Sequence, residues 1–161
     1  MCVANLKAVP MKSVAVVACM DVRLDPMEIF GLDLGEAHIM RNAGGVVTDD
    51  MLRSLAISQR KMDTKEIWLL HHTDCGMSGL DNDAFLAELE KEDGARPTWH
   101  PRGFNDVEQD VRDSYQKLVE DPHVDARRVR GFIFDVHTGK LHEIGLAGRD
   151  AHGHPAEKVL D

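Results

Sequence analysis

The sequence predicts an α/β fold: a central, mainly parallel β-sheet of four strands plus a C-terminal antiparallel strand, flanked by helices. Three observations carry that expectation. Short, continuous apolar runs at residues 14–18 and 67–70 have the signature of strands covered on both faces. Segments with helical spacing separate the strand-like runs, and such alternation implies parallel pairing through right-handed crossovers. The last two runs, residues 131–136 and 141–144, are joined by His137-Thr138-Gly139-Lys140, a turn that suits a hairpin.

Taken in order, the first strand covers residues 13–19 and ends on Cys19. Pro26 suits the first turn of a short helix over 27–31. The second strand, 37–40, runs into Arg41-Asn42-Ala43-Gly44-Gly45, where two adjacent glycines let the backbone approach a ligand closely or take positive φ. Thr48 caps the next helix, and Asp49 and Asp50 lie in its first turn, where acids favour the dipole. Met51, Leu52, Leu55 and Ala56 then repeat at the spacing of a face packed on the sheet. The third strand is 65–72. A helix over 81–93 carries Phe85, Leu86 and Leu89 and stops at Gly94. Residues 95–103, with Pro97, Trp99 and Pro101, form an irregular surface excursion. Helix signals return at Asn105 and place Val107, Val111, Ser114, Tyr115 and Leu118 on one face until Pro122.

Composition bounds the function. At 161 residues and 43% hydrophobic content the chain suits one soluble domain over 1–161, with 1–12 and 147–161 as loose or arm-like ends. The net charge of -9 is spread along the chain, which argues against nucleic acid or an anionic membrane as partner. No apolar stretch approaches the about 20 residues of a bilayer span, and residues 1–7 lack the apolar region of a signal peptide, so the cytoplasm is expected. Three cysteines without a Cys-x-x-Cys pair argue against a disulfide framework, and Cys2 reads as a free thiol.

The chemistry concentrates in Cys19-Met20-Asp21-Val22-Arg23 and His71-His72-Thr73-Asp74-Cys75-Gly76. Each segment follows a strand, so two thiols and an imidazole gather at the carboxyl ends of parallel strands, where open α/β sheets place their sites. Cysteines of this kind are often inert buried side chains. Two Cys and one His with a fourth position left over is instead the composition of a catalytic zinc site. Successive strand residues point to opposite faces, so only one of His71 and His72 reaches the metal, and the His-x-x-Cys spacing selects His72. His71 is left for packing, a hydrogen bond or proton traffic. Asp21, two residues beyond Cys19, either coordinates the metal as a fourth ligand or turns toward Arg23. Gly44 and Gly45 form either a plain turn or, near the start of the Thr48 helix, a wall that holds a substrate oxygen. His152 and His154 read as a solvated tail.

Cys19-x-Asp21-x-Arg23, Arg41-Asn42-Ala43-Gly44-Gly45 and His72-x-x-Cys75-Gly76, in this order, resemble the β-class carbonic anhydrases of compact type, firmly over residues 13–79. The resemblance implies Zn2+ on Cys19, His72 and Cys75, with Asp21 and Arg23 as a catalytic dyad. Family members include a closed form, in which the Asp binds zinc, and an open form, in which the Arg holds it away. The implied activity is that of a carbonate dehydratase, a lyase: zinc-bound hydroxide reversibly hydrates CO2 to bicarbonate. The implied assembly is a homodimer, a homotetramer, or a tetramer of dimers, with no partner beyond the small-molecule substrate.

The chain departs from the commoner family pattern at Val22, where a Ser is frequent, and at Asp33-Leu34-Gly35-Glu36, where many relatives carry a pocket Gln. Those changes concern the pocket and leave the metal chemistry alone. They keep open hydrolysis of carbonyl sulfide or carbon disulfide to hydrogen sulfide and CO2 at the same zinc. A non-catalytic zinc-binding protein is the third reading, disfavoured because Asp21 and Arg23 are both present. A Cys-x5-Arg phosphate loop fails because residue 25 is Asp25, and no Gly-x-Gly-x-x-Gly follows the first strand.

Overall fold

The computed structural model describes residue 3 and residues 5–146. Cys2, the His152 and His154 pair, and residues 147–161 lie outside the described residues. Five strands form one sheet: β1 Val14–Cys19, β2 Ala37–Asn42, β3 Glu66–His72, β4 Val129–Asp135 and β5 Lys140–Ile144. Their spatial order is β2-β1-β3-β4-β5, with the first four parallel and β5 antiparallel to β4, as the sequence predicts. The helices are α1 Pro26–Phe30, α2 Asp49–Met62, α3 Asn82–Asp93 and α4 Val107–Glu120.

Local chemistry sets the helix ends. Asp25, Thr48, Asp81 and Asp106 each accept backbone N–H bonds at an N-cap, satisfying donors that the first helical turn leaves free. Pro26 occupies the first turn of α1, and Gly31 closes it in the left-handed region at φ 61. Two strands are longer than their apolar runs suggest. β2 continues through Arg41 and Asn42 because its pairing with β1 runs to Cys19 opposite Asn42. β4 begins at Val129, which pairs with Ile67. Its second residue, Arg130, is polar yet belongs there: its guanidinium lies 4.9 Å from the Phe132 ring centre and makes two bonds to Glu143.

Alternation along the strands divides the core in two. Ala15, Val17, Ile67, Leu69, Val129 and Ile133 pack with Met51 and Leu55 of α2 and with Val111 and Leu118 of α4. On the opposite face Val14, Val16, Ala18, Leu70 and Phe132 pack with Leu24, Phe30 and Leu32 around α1. No described helix is long and apolar enough to cross a membrane.

Leu55 is fully buried between α2 and the sheet. Leu55→Ala is expected to cost about 2–5 kcal/mol, read as a lower urea midpoint with an unchanged slope.

Candidate metal centre

The chain leaves β1 through α1 on one face of the sheet and leaves β3 toward α4 on the other. Neighbouring parallel strands with diverging exits leave a crevice at their carboxyl ends. Cys19 and His72 are the last residues of β1 and β3, and the turn after β3 brings Cys75 back beside them. The two sulfurs are 3.8 Å apart. The ligand atoms of Cys19, His72 and Cys75 lie within 4.8 Å of one another, and all three residues are buried.

The donor set fits a metal on its own terms. His72 Nδ1 donates to the Thr73 carbonyl at 2.9 Å, which fixes the tautomer and leaves Nε2 free to bind a metal. Among the described residues Nε2 has no hydrogen-bond partner, and it is buried beside two thiols. An orphaned acceptor in this position is costly unless something cationic meets it. The thiol pair is prepared in the same sense. Cys75 as a hydrogen-bond donor, together with the neighbouring His72 ring and the backbone N–H groups of Asp21 and Gly44, outweighs burial and pulls Cys19 down to about 4. Cys75 shifts the opposite way, pushed up by its hydrogen bond to the Cys19 thiolate and by burial. The pair thus retains one proton, which a divalent cation would displace. Burial opposes the positive charge on His72, but the Cys19 thiolate, the Thr73 carbonyl and the Asp21 carboxylate together favour it.

Asp21 stands beside this cluster and outside it. Arg23 Nε and Nη2 donate to its two oxygens at 2.9 and 2.8 Å, and the Arg23 backbone N–H donates to Oδ1 at 2.9 Å. The guanidinium holds the Asp21 carboxyl well below the usual carboxylate range. Asp21 Oδ2 remains 3.9 Å from His72 Nε2. Of the two arrangements open to Asp21 in the sequence, the structure holds the one turned toward Arg23.

The Arg41-Asn42-Ala43-Gly44-Gly45 segment builds the wall behind the cluster. Arg41 Nε and Nη2 donate to the carbonyls of Cys19 and Asp21 at 3.0 and 2.7 Å, and Asn42 Nδ2 donates to the Val46 carbonyl at 2.8 Å. Gly45 has φ 72, and a Cβ there would meet the Cys19 backbone nitrogen at 2.7 Å and the Ala18 carbonyl carbon at 2.9 Å. At Gly44, with φ 84, the nearest atoms to such a Cβ belong to the side chains of Met77 and Val46. A glycine is therefore required at 45 by backbone contact and favoured at 44 by conformation.

His71 and His72 point to opposite faces, as alternation requires. His71 is buried under α4 with Nδ1 2.9 Å from Asp110 Oδ2, an ion-pair distance whose angle falls short of hydrogen-bond alignment. Three contributors escape the sequence: Arg41 as a clamp on two carbonyls, Asp110 as the companion of His71, and Asp74. Asp74 sits between His72 and Cys75 at φ 54 and accepts from Arg23. Its place in His-x-x-Cys is the signal that singles it out, whereas Asp110 and Arg41 depend on contacts across the fold.

Comparisons with known proteins agree with this geometry. The family model described as carbonic anhydrase matches residues 14–114. Beta-carbonic anhydrase 1 of Mycobacterium tuberculosis is 53% identical over 136 residues, covering 84% of this chain and 83% of that protein. A carbon disulfide hydrolase of Acidithiobacillus thiooxidans is 32% identical over 166 residues, 89% of this chain and 79% of its own. The crystal structure of carbonic anhydrase from Streptococcus mutans superposes with a TM-score of 0.82 at 41% identity, covering 88% of this chain and 87% of that one.

The wall yields a contrast between neighbours. Gly45→Ala is expected to lower both thermal stability and zinc affinity, the latter by about tenfold or more, because the strand end carrying Cys19 must move. Gly44→Ala should cost about 1 kcal/mol of conformational strain and leave zinc affinity nearly intact, as measured by competition with a chelator.

Proposed function

This chain belongs to the β-class carbonic anhydrase family, and from that membership and its buried Cys19, His72 and Cys75 cluster we propose reversible hydration of CO2 as its reaction. Carbon dioxide and water give bicarbonate and a proton, which passes to buffer. The observation that carries the reading is the unpartnered His72 Nε2 set between two thiols, with an ionised carboxylate held beside it and out of it. Cys19 Sγ, Cys75 Sγ and His72 Nε2 are the proposed zinc ligands. Held by these three residues, a zinc ion would supply a bound water with its pKa lowered toward about 7, a nucleophile at neutral pH.

The chain's own groups do the rest. Asp21, ionised by its pairing with Arg23, accepts a hydrogen bond from the attacking water and aims its lone pair at the carbon. Arg23 keeps Asp21 charged and turned aside. Gly44 and Gly45, free of side chains, are the wall against which a bicarbonate oxygen rests. Thiolate ligands suit a reducing compartment, and we assign the protein to the cytoplasm.

The family resemblance also supports a homodimer. β2 is a sheet edge whose N–H and C=O groups face outward, and Met20 and Val22, at the mouth of the site, are 62% and 97% exposed. A second copy of the chain would cover both features.

A second reading has support from the carbon disulfide hydrolase relatives: attack of the same nucleophile on carbon disulfide or carbonyl sulfide, releasing hydrogen sulfide. Zinc-loaded protein assayed at pH 7 and 8.5 on CO2, carbonyl sulfide and carbon disulfide in parallel is expected to hydrate CO2 fastest and faster at the higher pH. Turnover of the sulfur compounds alone would give the site to the second reading. Asp21→Asn should lose at least about a hundredfold in kcat while retaining zinc, and unchanged turnover would remove Asp21 from the mechanism. In sedimentation at micromolar concentration the protein should run as a dimer or larger; a monomer would refute the assembly.

A further inference from the structure

We propose that Asp74 is a positioning residue that acts through Arg23 to keep Asp21 out of the metal centre; the proposal rests on the roles given to Asp21 and Arg23 above. Arg23 uses one edge of its guanidinium on Asp21 and the other on Asp74. Nη1 donates to Asp74 Oδ2 at 2.8 Å, and Nη2 donates to the Asp74 carbonyl, also at 2.8 Å. The side chain therefore spans the two loops that follow β1 and β3, the loops that carry the two halves of the site. Its tether is a planar fork filled on both sides, a geometry that a Lys could not reproduce.

Asp74 reaches this pose through its backbone. At φ 54 it lies in the left-handed region, which Asp tolerates better than most residues, and there its carbonyl and carboxylate both meet Arg23. His137 Nε2 lies 4.0 Å from the same carboxylate oxygen, a further polar neighbour on the outer side. An isolated exposed ion pair would contribute little, and Asp74 is 61% exposed. The difference here is that Arg23 links three acceptor groups in one fixed arrangement.

The consequence concerns a short distance. Asp21 Oδ2 is 3.9 Å from His72 Nε2, so a modest rotation carries it among the proposed ligands. Held by Asp21 alone, Arg23 would follow such a rotation, since the pair could move together. Anchored to Asp74 as well, Arg23 is fixed to the loop that bears Cys75, and Asp21 must give up its two-point contact to reach the metal. Asp74 thereby favours the arrangement in which the fourth metal position is free for water.

The test uses zinc-loaded protein and its cobalt-substituted form, with azide as a small anion that competes for the position Asp21 would take. Asp74→Gly removes the carboxylate, while glycine accepts φ 54 at no cost. Its azide dissociation constant is expected to rise about fivefold, the upper end for one exposed pair. The cobalt spectrum should move toward a site with an added carboxylate. Asp74→Asn keeps an acceptor and drops the charge, so a rise of about twofold is expected, and it serves as the reading should the glycine variant fail to fold. A merely structural Asp74 would change the melting temperature and leave azide affinity and the cobalt spectrum at wild-type values, and that result overturns the proposal. Inactive Asp21→Asn alongside unchanged azide binding in Asp74→Gly sinks this inference alone. Fully active Asp21→Asn sinks the role of Asp21 and this inference with it.

Discussion

The parallel register of β1 against β3, with Ala18 opposite Leu70, decides where Cys19 and His72 meet. Because the strands run the same way, their carboxyl ends finish side by side. Because the chain leaves them on opposite faces, the space above those ends is not filled by a connection. The two core layers exist to hold this pairing: Val17 and Leu69 are locked beneath α2 and α4, Val16 and Leu70 beneath α1. Cys75 needs only a short turn beyond β3 to complete the cluster. A two-residue slip between β1 and β3 would keep each apolar side chain on its own face and lose the site.

The centre is a balance of charges arranged in rings. Innermost are two thiols and an imidazole, which favour a cation. Around them backbone N–H groups of Asp21 and Gly44 point at Cys19, and the Thr73 carbonyl sets the ring of His72. Farther out two arginines act on backbone and carboxylate rather than on the cluster: Arg41 gathers the carbonyls of Cys19 and Asp21, and Arg23 gathers Asp21 and Asp74. Each fixes the loops that present the donors, which is how the groups behind the ligands tune metal sites in general.

Much of this was legible in the sequence. Continuous apolar runs marked β1 and β3 because their residues are buried on both faces, and alternation separated His71 from His72 correctly. The capping roles of Thr48 and Gly94 followed from residue type. What the sequence hid were features with no periodic signature. β2 runs on through Arg41 and Asn42, polar residues in an edge strand, and β4 admits Arg130 because aromatic rings and Glu143 receive it. The glycine pair at 44 and 45 showed that the backbone was unusual there, and only the 2.7 Å approach to Cys19 shows which of the two has no alternative. Asp74 had a conspicuous place in the chain, but its left-handed backbone and its reach to Arg23, fifty-one positions away, belong to the folded state.

Adjacent histidines on one strand, serving two sides of the sheet, make β3 more sensitive to length than to composition. Its apolar members tolerate exchange for others of similar volume. Loss or gain of a single residue upstream of His71 would instead swap the faces of the two imidazoles, turning His71 to the side of the thiols and His72 toward α4, with every apolar side chain inverted as well. Sequence drift can therefore repaint the strand, whereas insertions and deletions belong in the connections. The long excursion between α3 and α4 is where the chain has room to grow.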